Sequence, residues 1–208
     1  VLATDVDDMD VTDPNSVNRI FNANPPDAVI HLAGLKGNLP SREDPLKFFD
    51  VNMSGTLNLL EASRHLEVGH FVFFSSLTVH GRAPEPIDER SPLFPQPPYS
   101  GSKGASESIV HAYSEAYGIN STIFRPNFIV TAIPEPQPYV DNLIYDFISL
   151  AIDPGVITLA GDGQFEREWM HPSDVASAVT AAVTNNRPGC ETYILRGERV
   201  TMEQFARR

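Results

Sequence analysis

The stretch Phe71-Val72-Phe73-Phe74-Ser75-Ser76, followed after a loop by Tyr99-Ser100-Gly101-Ser102-Lys103, decides the fold of this chain. The four apolar residues are aromatic or β-branched, which predicts a strand buried on both faces. A loop with six prolines, from Pro84 to Pro98, separates this strand from a helix that begins near Tyr99. Because strand ends in an open parallel sheet face the ligand crevice, the serines after Phe74 are predicted to line a binding site.

Tyr99 and Lys103 are four residues apart, so on a helix they share one face. A nearby ammonium favours phenolate over phenol, and we therefore expect Lys103 to lower the pKa of Tyr99 from its ordinary value of about 10. Tyr99 would then serve as a general base, with Ser76 hydrogen-bonded to the same substrate oxygen. The same spacing also occurs on amphipathic surface helices, so the motif alone leaves a structural role open.

The flanking sequence alternates strand and helix signals, with connections too long for hairpins. The predicted elements are a strand ending near Asp10-Val11, a helix from Asp13-Pro14, a buried strand at Ala28–Leu32, a helix from Asp44-Pro45 to about Leu66, and a strand at Ser121–Phe124. Asn52 within the second helix is either solvent-facing or kept for a polar contact. This alternation predicts an α/β fold, a Rossmann-like, doubly wound parallel sheet.

The character of the sequence changes after Asn127. We expect residues 1–127 to form the Rossmann-like domain and residues 128–208 to form mostly a smaller C-terminal substrate-binding lobe, with some segments returning to the main domain. The predicted elements of the second part are a helix around Asp141–Ile152, a strand near Ile157, a turn at Gly161-Asp162-Gly163, a helix from Ser173 and a capping box at Thr201-x-x-Gln204. Since that last helix has barely begun, the chain looks truncated at both ends.

Composition limits the classes of partner. The formal net charge of the 208 residues is −12, which argues against nucleic-acid and anionic-membrane surfaces. There is no apolar run of about 18 residues and no signal-peptide pattern, and the single cysteine, Cys190, allows no internal disulfide. We therefore expect a cytoplasmic protein without a membrane segment. The six histidines show no metal-ligand spacing, so no metal site is predicted.

Several further segments, together with the stretch quoted first, carry a family resemblance. They are Asp10-Val11, His31-Leu32-Ala33-Gly34-Leu35-Lys36, Asn52-x-x-Gly55-Thr56, Ser75-Ser76-Leu77-Thr78-Val79-His80-Gly81, Tyr99-x-x-x-Lys103, and Gly161-Asp162-Gly163 followed by Arg167 and His171-x-x-Asp174. In this order they resemble the extended short-chain dehydrogenase/reductase superfamily and, within it, the NAD-dependent epimerase/dehydratase family of UDP-glucose 4-epimerase and its relatives.

The resemblance implies NAD as cofactor, with NADP as the alternative, a nucleotide sugar as substrate, and a homodimer. It implies Ser76, Tyr99 and Lys103 as catalytic residues. The implied cofactor-binding residues are Asp10, Val11, Leu32, Ala33, Gly34, Lys36, Asn52, Ser75, Tyr99, Lys103 and Pro126. The implied substrate-binding residues are Ser76, Thr78, Asn127 and Arg167, of which Arg167 matches the arginine that pairs with the diphosphate.

The chain departs from the family pattern in several places. No Gly-x-x-Gly-x-x-Gly turn is present, although such enzymes use one to bind pyrophosphate. His80 stands where the family often has tyrosine, and Arg125-Pro126-Asn127-Phe128 is typical of the broader superfamily. Ser76-Leu77-Thr78 occupies the place of the acid pair of the dehydratases, which argues against that branch.

The sequence thus favours NAD-dependent 4-epimerisation of a nucleotide sugar through a transient keto-sugar, with Tyr99 as acid and base. Two alternatives stay open: an NAD(P)-dependent dehydrogenase or reductase, and a non-catalytic dinucleotide-sensing protein. The presence of Ser76, Tyr99 and Lys103 together speaks against a sensor, which needs none of them.

Overall fold

A computed structural model describes residues 1–130 and 161–207. The helices are α1 (Pro14–Ala23), α2 (Asn38–Glu43), α3 (Pro45–Phe49), α4 (Gly55–His65), α5 (Pro98–Tyr117), α6 (Pro172–Asn185) and α7 (Met202–Arg207), with a π-helical turn at Asp50–Ser54 and a 3₁₀ turn at Leu77–His80. The strands are β1 (Ala28–His31), β2 (His70–Phe74), β3 (Ser121–Pro126), β4 (Phe128–Ile129), β5 (Glu166–Met170), β6 (Cys190–Leu195) and β7 (Glu198–Thr201). The predicted helix at Asp141–Ile152 and strand near Ile157 lie outside the described residues.

The main sheet has the strand order β1-β2-β3-β6, and all of its pairs are parallel. Parallel neighbours need crossover connections, which the helices supply. The α/β, Rossmann-like prediction is therefore confirmed. Because every strand runs in the same direction, the carboxyl ends of β1, β2 and β3 meet at one edge.

Helices cover both faces of this sheet, as alternate residues of β2 show. Phe71 and Phe73 pack with apolar residues of α1, α4 and α5. Val72 and Phe74 pack on the opposite side with Phe124 and the apolar stripe of α6. Every residue of β2 is consequently buried, as the apolar run predicted.

A second, three-stranded sheet has the order β4-β5-β7, with β4 and β5 parallel and β5 and β7 antiparallel. Trp169 of β5 stacks on Phe205 of α7 at a centroid distance of 4.4 Å. Helix α6 and strand β6 pack on the main sheet. The division at residue 127 itself remains a prediction.

The prediction of a strand that ends near Asp10-Val11 is wrong. The first 13 residues contain two turns and no strand, and the Asp5 carbonyl accepts from the amides of Asp8 and Met9. The Asp5 carboxylate also accepts from the Val6 amide. Short acidic side chains that bond their own backbone favour turns over ladders, and the alternation of apolar and acidic residues misled the prediction.

Most predicted helix starts are confirmed. Asp13 caps α1 through the Asn15 amide, and Asp44 caps α3 through the Lys47 amide. Thr201 and Gln204 form the reciprocal capping box. The prediction of a buried strand at Ala28–Leu32 is met only in part, because His31 is buried whereas Ile30 is 42% exposed on the outermost described strand of the sheet. Helix α2 was not predicted.

Candidate active site

The carboxyl end of β2 meets the first turns of α5. Lys103 lies one turn after Tyr99, and its Nζ donates to the Phe74 carbonyl at 2.8 Å. This bond ties α5 to the last residue of β2. Strand, serines and helix therefore form one unit, as the sequence predicted.

Lys103 is buried, with 5% of its surface exposed. Burial lowers the pKa of Lys103 to about 8, and the nearby Glu107 carboxylate acts in the opposite direction. The Phe73 ring lies 5.0 Å from Nζ. Lys103 is thus a buried cation whose charge depends on its surroundings at physiological pH.

The expectation that Lys103 lowers the pKa of Tyr99 is not met. Burial raises the pKa of Tyr99, while a hydrogen bond with Ser76 lowers it by less. Loss of water around the half-buried Tyr99 ring, which lies edge-on to Phe48 at a centroid distance of 6.4 Å, destabilises the phenolate more than the hydrogen bond with Ser76 stabilises it. The spacing of Tyr99 and Lys103 is right, but the lowered pKa that was expected from it is wrong.

A chain of hydroxyl groups leads to Tyr99. Ser100 donates to the Thr78 hydroxyl at 2.9 Å, and Thr78 donates to Ser76 Oγ at 2.9 Å. The Thr78 amide donates to the same oxygen at 3.3 Å. Since Ser76 Oγ receives two hydrogen bonds, its own proton is directed to an acceptor such as the Tyr99 oxygen.

Asn52 lies at the centre of a second network. It is fully buried in the π-helical turn, and its amide group bonds both backbone groups of Leu35. Its Nδ2 also donates to Ser102 Oγ at 2.9 Å, and Ser102 donates to the Tyr99 carbonyl at 2.8 Å. Of the two readings that the sequence left open, the structure supports the polar contact.

The loop after β1 passes directly over these groups. A Cβ atom at Gly34 would lie 2.9 Å from Asn52 Oδ1 and 3.2 Å from Lys103 Nζ. Only glycine brings the backbone this close to the lysine. Leu32, Ala33 and Lys36 of the same loop are exposed, so their surfaces are open to a ligand.

Asp10 and Val11 lie away from this centre, beside the start of α4. The Asp10 carboxylate accepts hydrogen bonds from the amide and the hydroxyl of Thr12. The bond from the amide and, second, the bond from the hydroxyl lower the pKa of Asp10. The Val11 side chain is buried against Gly55, where a Cβ would lie only 2.7 Å from Val11 Cγ2. A ligand could therefore meet Val11 only through its backbone.

Among the predicted cofactor-binding residues that the structure describes, Ser75 is the one with a buried side-chain atom that lacks a hydrogen-bond partner. Its side chain is 4% exposed, and its Oγ has no hydrogen-bond partner. A buried hydroxyl without a partner is costly unless a ligand or water supplies one. Pro126, the remaining candidate, is the buried last residue of β3.

The predicted substrate residues Asn127 and Arg167 line a cavity of about 660 Å³, together with Leu77, which follows Ser76. The Arg167 guanidinium lies over the Phe128 ring at 4.3 Å and near the Phe165 ring at 5.1 Å. Stacking of this kind fixes the plane of a guanidinium. Arg196 and Arg199 also line the cavity, and no sequence motif points to them. Both pair with buried Glu168.

A buried charged cluster that no sequence motif predicted lies between α5 and β3. Arg125 pairs with Glu107 through two hydrogen bonds of 3.0 and 2.7 Å. Its Nη1 bonds His80 Nε2 at 3.1 Å. His80, which stands where the family often has tyrosine, is therefore an interior residue, and its pKa is lowered chiefly by burial.

Among the described residues, no helix is both long and apolar enough to span a bilayer. A family model described as NAD dependent epimerase/dehydratase family matches residues 2–195.

Curated relatives carry two kinds of name. The chain is 29% identical over 198 residues to a dTDP-glucose 4,6-dehydratase of Streptomyces niveus, covering 95% of this chain and 57% of that protein. It is 31% identical to dTDP-glucose 4,6-dehydratase 1 of Escherichia coli, covering 90% and 56%. It is 28% identical to a UDP-glucose 4-epimerase of Lacticaseibacillus casei, covering 81% and 55%. The chain spans a little more than half the length of these relatives.

Solved structures agree in fold. A Thermus thermophilus UDP-glucose 4-epimerase in complex with NAD superposes with a TM-score of 0.83 at 28% identity, covering 96% of this chain and 66% of that chain. A Streptomyces venezuelae dTDP-glucose 4,6-dehydratase with NAD bound gives 0.80 at 28% identity, covering 95% and 60%. Both activities thus occur on this fold.

Proposed function

The chain belongs to the NAD-dependent epimerase/dehydratase family, and from this premise we propose that it catalyses NAD-dependent 4-epimerisation of a nucleotide sugar. The observation that carries the proposal is the meeting of Ser76, Tyr99 and Lys103 at the carboxyl end of β2, where Ser76 lies close enough to Tyr99 to lower the pKa of its phenol and Lys103 Nζ donates to the Phe74 carbonyl at 2.8 Å. A protein that only senses a dinucleotide has no use for this arrangement.

The residues at this edge fit the nicotinamide half of NAD. Ser75 offers a buried hydroxyl without a partner, and Gly34 leaves open backbone beside Lys103 Nζ. Lys103, one turn from Tyr99, would hold the ribose, and the exposed Leu32, Ala33 and Lys36 would line the dinucleotide. NAD, when bound, supplies an acceptor for a hydride from the sugar carbon and returns that hydride later.

The protein's own task is to move one proton at the sugar hydroxyl. Tyr99 would accept this proton and return it after the keto-sugar has turned its other face towards the cofactor. Ser76, which receives two hydrogen bonds from Thr78, directs its proton to the same oxygen and favours the ionised phenol. The Lys103 ammonium adds a positive charge at this end of α5.

The substrate would extend from Tyr99 into the cavity lined by Leu77, Asn127 and Arg167. The stacked Arg167 guanidinium is suited to a diphosphate, because its planar donors match phosphate oxygens. Asn127 supplies an amide for the nucleotide or sugar.

The residues that follow β2 favour epimerisation over dehydration. Elimination of water needs an acid beside the sugar, whereas positions 76–78 carry two hydroxyls and a leucine. The glutamate that is buried in the cavity wall, Glu168, is paired with Arg196 and Arg199. The first relatives named above are dehydratases, so the product of the reaction is the decisive measurement.

To test the proposal, the intact protein is denatured and the released nucleotide is identified by mass spectrometry. The native protein is then incubated with UDP-glucose, UDP-galactose and dTDP-glucose, and the products are separated. We expect bound NAD and interconversion of 4-epimers without added cofactor. A product one water lighter would replace epimerase with dehydratase, net reduction of added NAD(P) would indicate a dehydrogenase, and no turnover with retained nucleotide would indicate a sensor.

The family resemblance also supports a homodimer in the cytoplasm. Light scattering of the purified protein would give its mass in solution, and a monomeric mass at assay concentration would contradict this part of the proposal.

A further inference from the structure

Glu107 is a buried acid that the proposed mechanism has not used. It lies on α5 one turn beyond Lys103, as Lys103 lies one turn beyond Tyr99. Its side chain is 2% exposed. A carboxylate so deeply buried is stable only with cationic partners and hydrogen bonds.

Arg125 of β3 supplies the partner and fixes the orientation of Glu107. Arg125 Nε donates to Oε1 and Nη2 donates to Oε2, which is a bidentate pair. Arg125 Nη1 donates to the Glu89 carbonyl at 3.1 Å and faces His80 Nε2 at 3.1 Å. With four hydrogen bonds on Arg125, the guanidinium cannot move without breaking several of them, and Glu107 is held with it.

The charges around Lys103 show what Glu107 does. On α5, Lys103 is flanked by Tyr99 and Glu107. His31 of β1 also faces it and stays neutral, because burial, with help from the Lys103 charge, lowers the pKa of His31 to about 3. His80 is neutral as well, since burial lowers its pKa. Among these groups Glu107 is the one carboxylate, set against two buried cations, Lys103 and Arg125.

We propose that Glu107 is a positioning residue, whose carboxylate, held by Arg125, keeps the Lys103 ammonium charged next to Phe74 and Tyr99. Its importance for turnover rests on the proposed function, but its effect on the charge of Lys103 does not. A neutral Lys103 would neither favour the Tyr99 phenolate nor bind the oxygens of an anionic dinucleotide as strongly.

The ionisation of Lys103 can be observed directly, because the sequence contains three lysines, Lys36, Lys47 and Lys103. The protein is labelled with ¹³C at the lysine ε-carbon, and the NMR shift of each lysine is followed against pH. The signals that disappear in Lys36→Arg and Lys47→Arg belong to these two lysines, and the remaining signal belongs to Lys103. We expect a midpoint of about 8 in the parent protein. In Glu107→Gln this midpoint should fall by about one pH unit or more, the usual effect of removing a nearby opposite charge.

Glu115→Gln is the matched control, since Glu115 is an exposed acid on the same helix and its replacement removes the same charge. The Lys103 midpoint should be unchanged in this variant. An unchanged midpoint in folded Glu107→Gln would overturn the proposal.

A purely structural role for Glu107 makes a different prediction. Glu107→Gln leaves Arg125 without a carboxylate and is expected to destabilise the protein. The double variant Glu107→Gln/Arg125→Met removes both charges, which is often neutral for stability. In the double variant the Arg125 cation, which opposes the charge of Lys103, is removed together with the Glu107 anion, so the Lys103 midpoint should lie between those of Glu107→Gln and the parent. Arg125→Met alone keeps the carboxylate and removes the opposing cation, so it should raise the Lys103 midpoint. A midpoint that falls in Arg125→Met as it does in Glu107→Gln would show that Glu107 serves only Arg125.

Turnover supplies the last readout. In the Glu107 variants kcat, relative to the parent, should fall most above neutral pH and recover on acidification as Lys103 regains its proton. An equal loss at every pH would contradict the positioning role. A parent protein that turns over no nucleotide sugar, while the lysine midpoint shifts as expected, would refute the proposed function and leave the assignment of Glu107 to Lys103 in place.

Discussion

At Tyr99, burial and hydrogen bonding act on one proton in opposite directions. Burial raises the pKa of Tyr99, and the hydrogen bond with Ser76 lowers it. The raised pKa keeps the phenol protonated at neutral pH. Tyr99 is therefore set to donate a proton, and it accepts one only when further positive charge or hydrogen bonding stabilises the phenolate.

Replacing Tyr99 with phenylalanine removes this oxygen and keeps the ring against Phe48. We expect nucleotide retention near that of the parent and a fall in turnover of about 10²-fold or more, the usual contribution of a general acid or base. Steady-state kinetics with a nucleotide sugar and quantification of the released nucleotide check both parts. Unchanged turnover would remove Tyr99 from the mechanism.

Arg167 is the residue that distinguishes a nucleotide-sugar site from a site for simple alcohols. A charge-assisted hydrogen bond contributes about 1.5–3 kcal/mol, so Arg167→Ala should raise KM for a nucleoside-diphosphate sugar by roughly 10- to 150-fold. Arg187→Ala removes an exposed arginine and serves as the control. If Arg167→Ala harms oxidation of a small uncharged alcohol equally, Arg167 acts through the structure alone.

At the scale of elements, the π-helical turn between α3 and α4 joins two parts of the site, the loop after β1 and helix α5. It places Asn52 where the β1 loop and α5 meet, and one amide group bonds Leu35 and Ser102. Ser106 of α5 also donates to the Asn52 carbonyl at 2.9 Å. A single widened turn therefore sets the distance between the loop after β1 and the helix that carries Tyr99.

Asn52→Ala would leave the buried backbone groups of Leu35 without their partners. Each unsatisfied group costs about 1–3 kcal/mol, so we expect a loss of about 2–4 kcal/mol in the free energy of unfolding. Urea denaturation measures this loss, with Asn15→Ala, an exposed position on α1, as the control. A difference between the two variants below about 0.5 kcal/mol would show that the Asn52 network does not stabilise the fold.

At the scale of the whole molecule, His31 links stability to pH. Its ring is buried between Phe71 and Phe73, and Nε2 bonds Thr56 Oγ1 at 2.9 Å. The pKa of His31 is lowered to about 3, first by burial and second by Lys103. An unfolded chain binds this proton near pH 6.5, so between pH 6.5 and about 3 the unfolded state holds more protons than the native state.

Stability should therefore fall as the pH drops from 6.5 towards 3, by at most about 5 kcal/mol from this group. In His31→Gln, which keeps a donor for Thr56, the free energy of unfolding should depend less steeply on pH in this window. Urea denaturation at pH 7, 5.5 and 4 tests the slope. His111→Gln, at an exposed position on α5, is the control, and an equal slope in the two variants would contradict the role of His31.

The sequence by itself determined the features that contiguous residues encode. The helix caps at Asp13 and Asp44 and the capping box at Thr201 follow from bonds between residues two or three apart, and the strand at Phe71 follows from an unbroken apolar run. The order of serines, Tyr99 and Lys103 predicted the site because the end of a strand and the start of the next helix are neighbours in any parallel sheet.

Only the tertiary structure decided the features that depend on burial and on distant residues. Asn52 meets Ser102, and Glu107 meets Arg125, through contacts between segments 50 and 18 residues apart. The same packing raises the pKa of Tyr99 by desolvation more than the hydrogen bond with Ser76 lowers it. It also buries the Val11 side chain in the core, although Val11 does not belong to a strand. Periodicity and spacing give the direction in which a side chain points along its own element, whereas the solvent and partners around that side chain are fixed only when the elements pack.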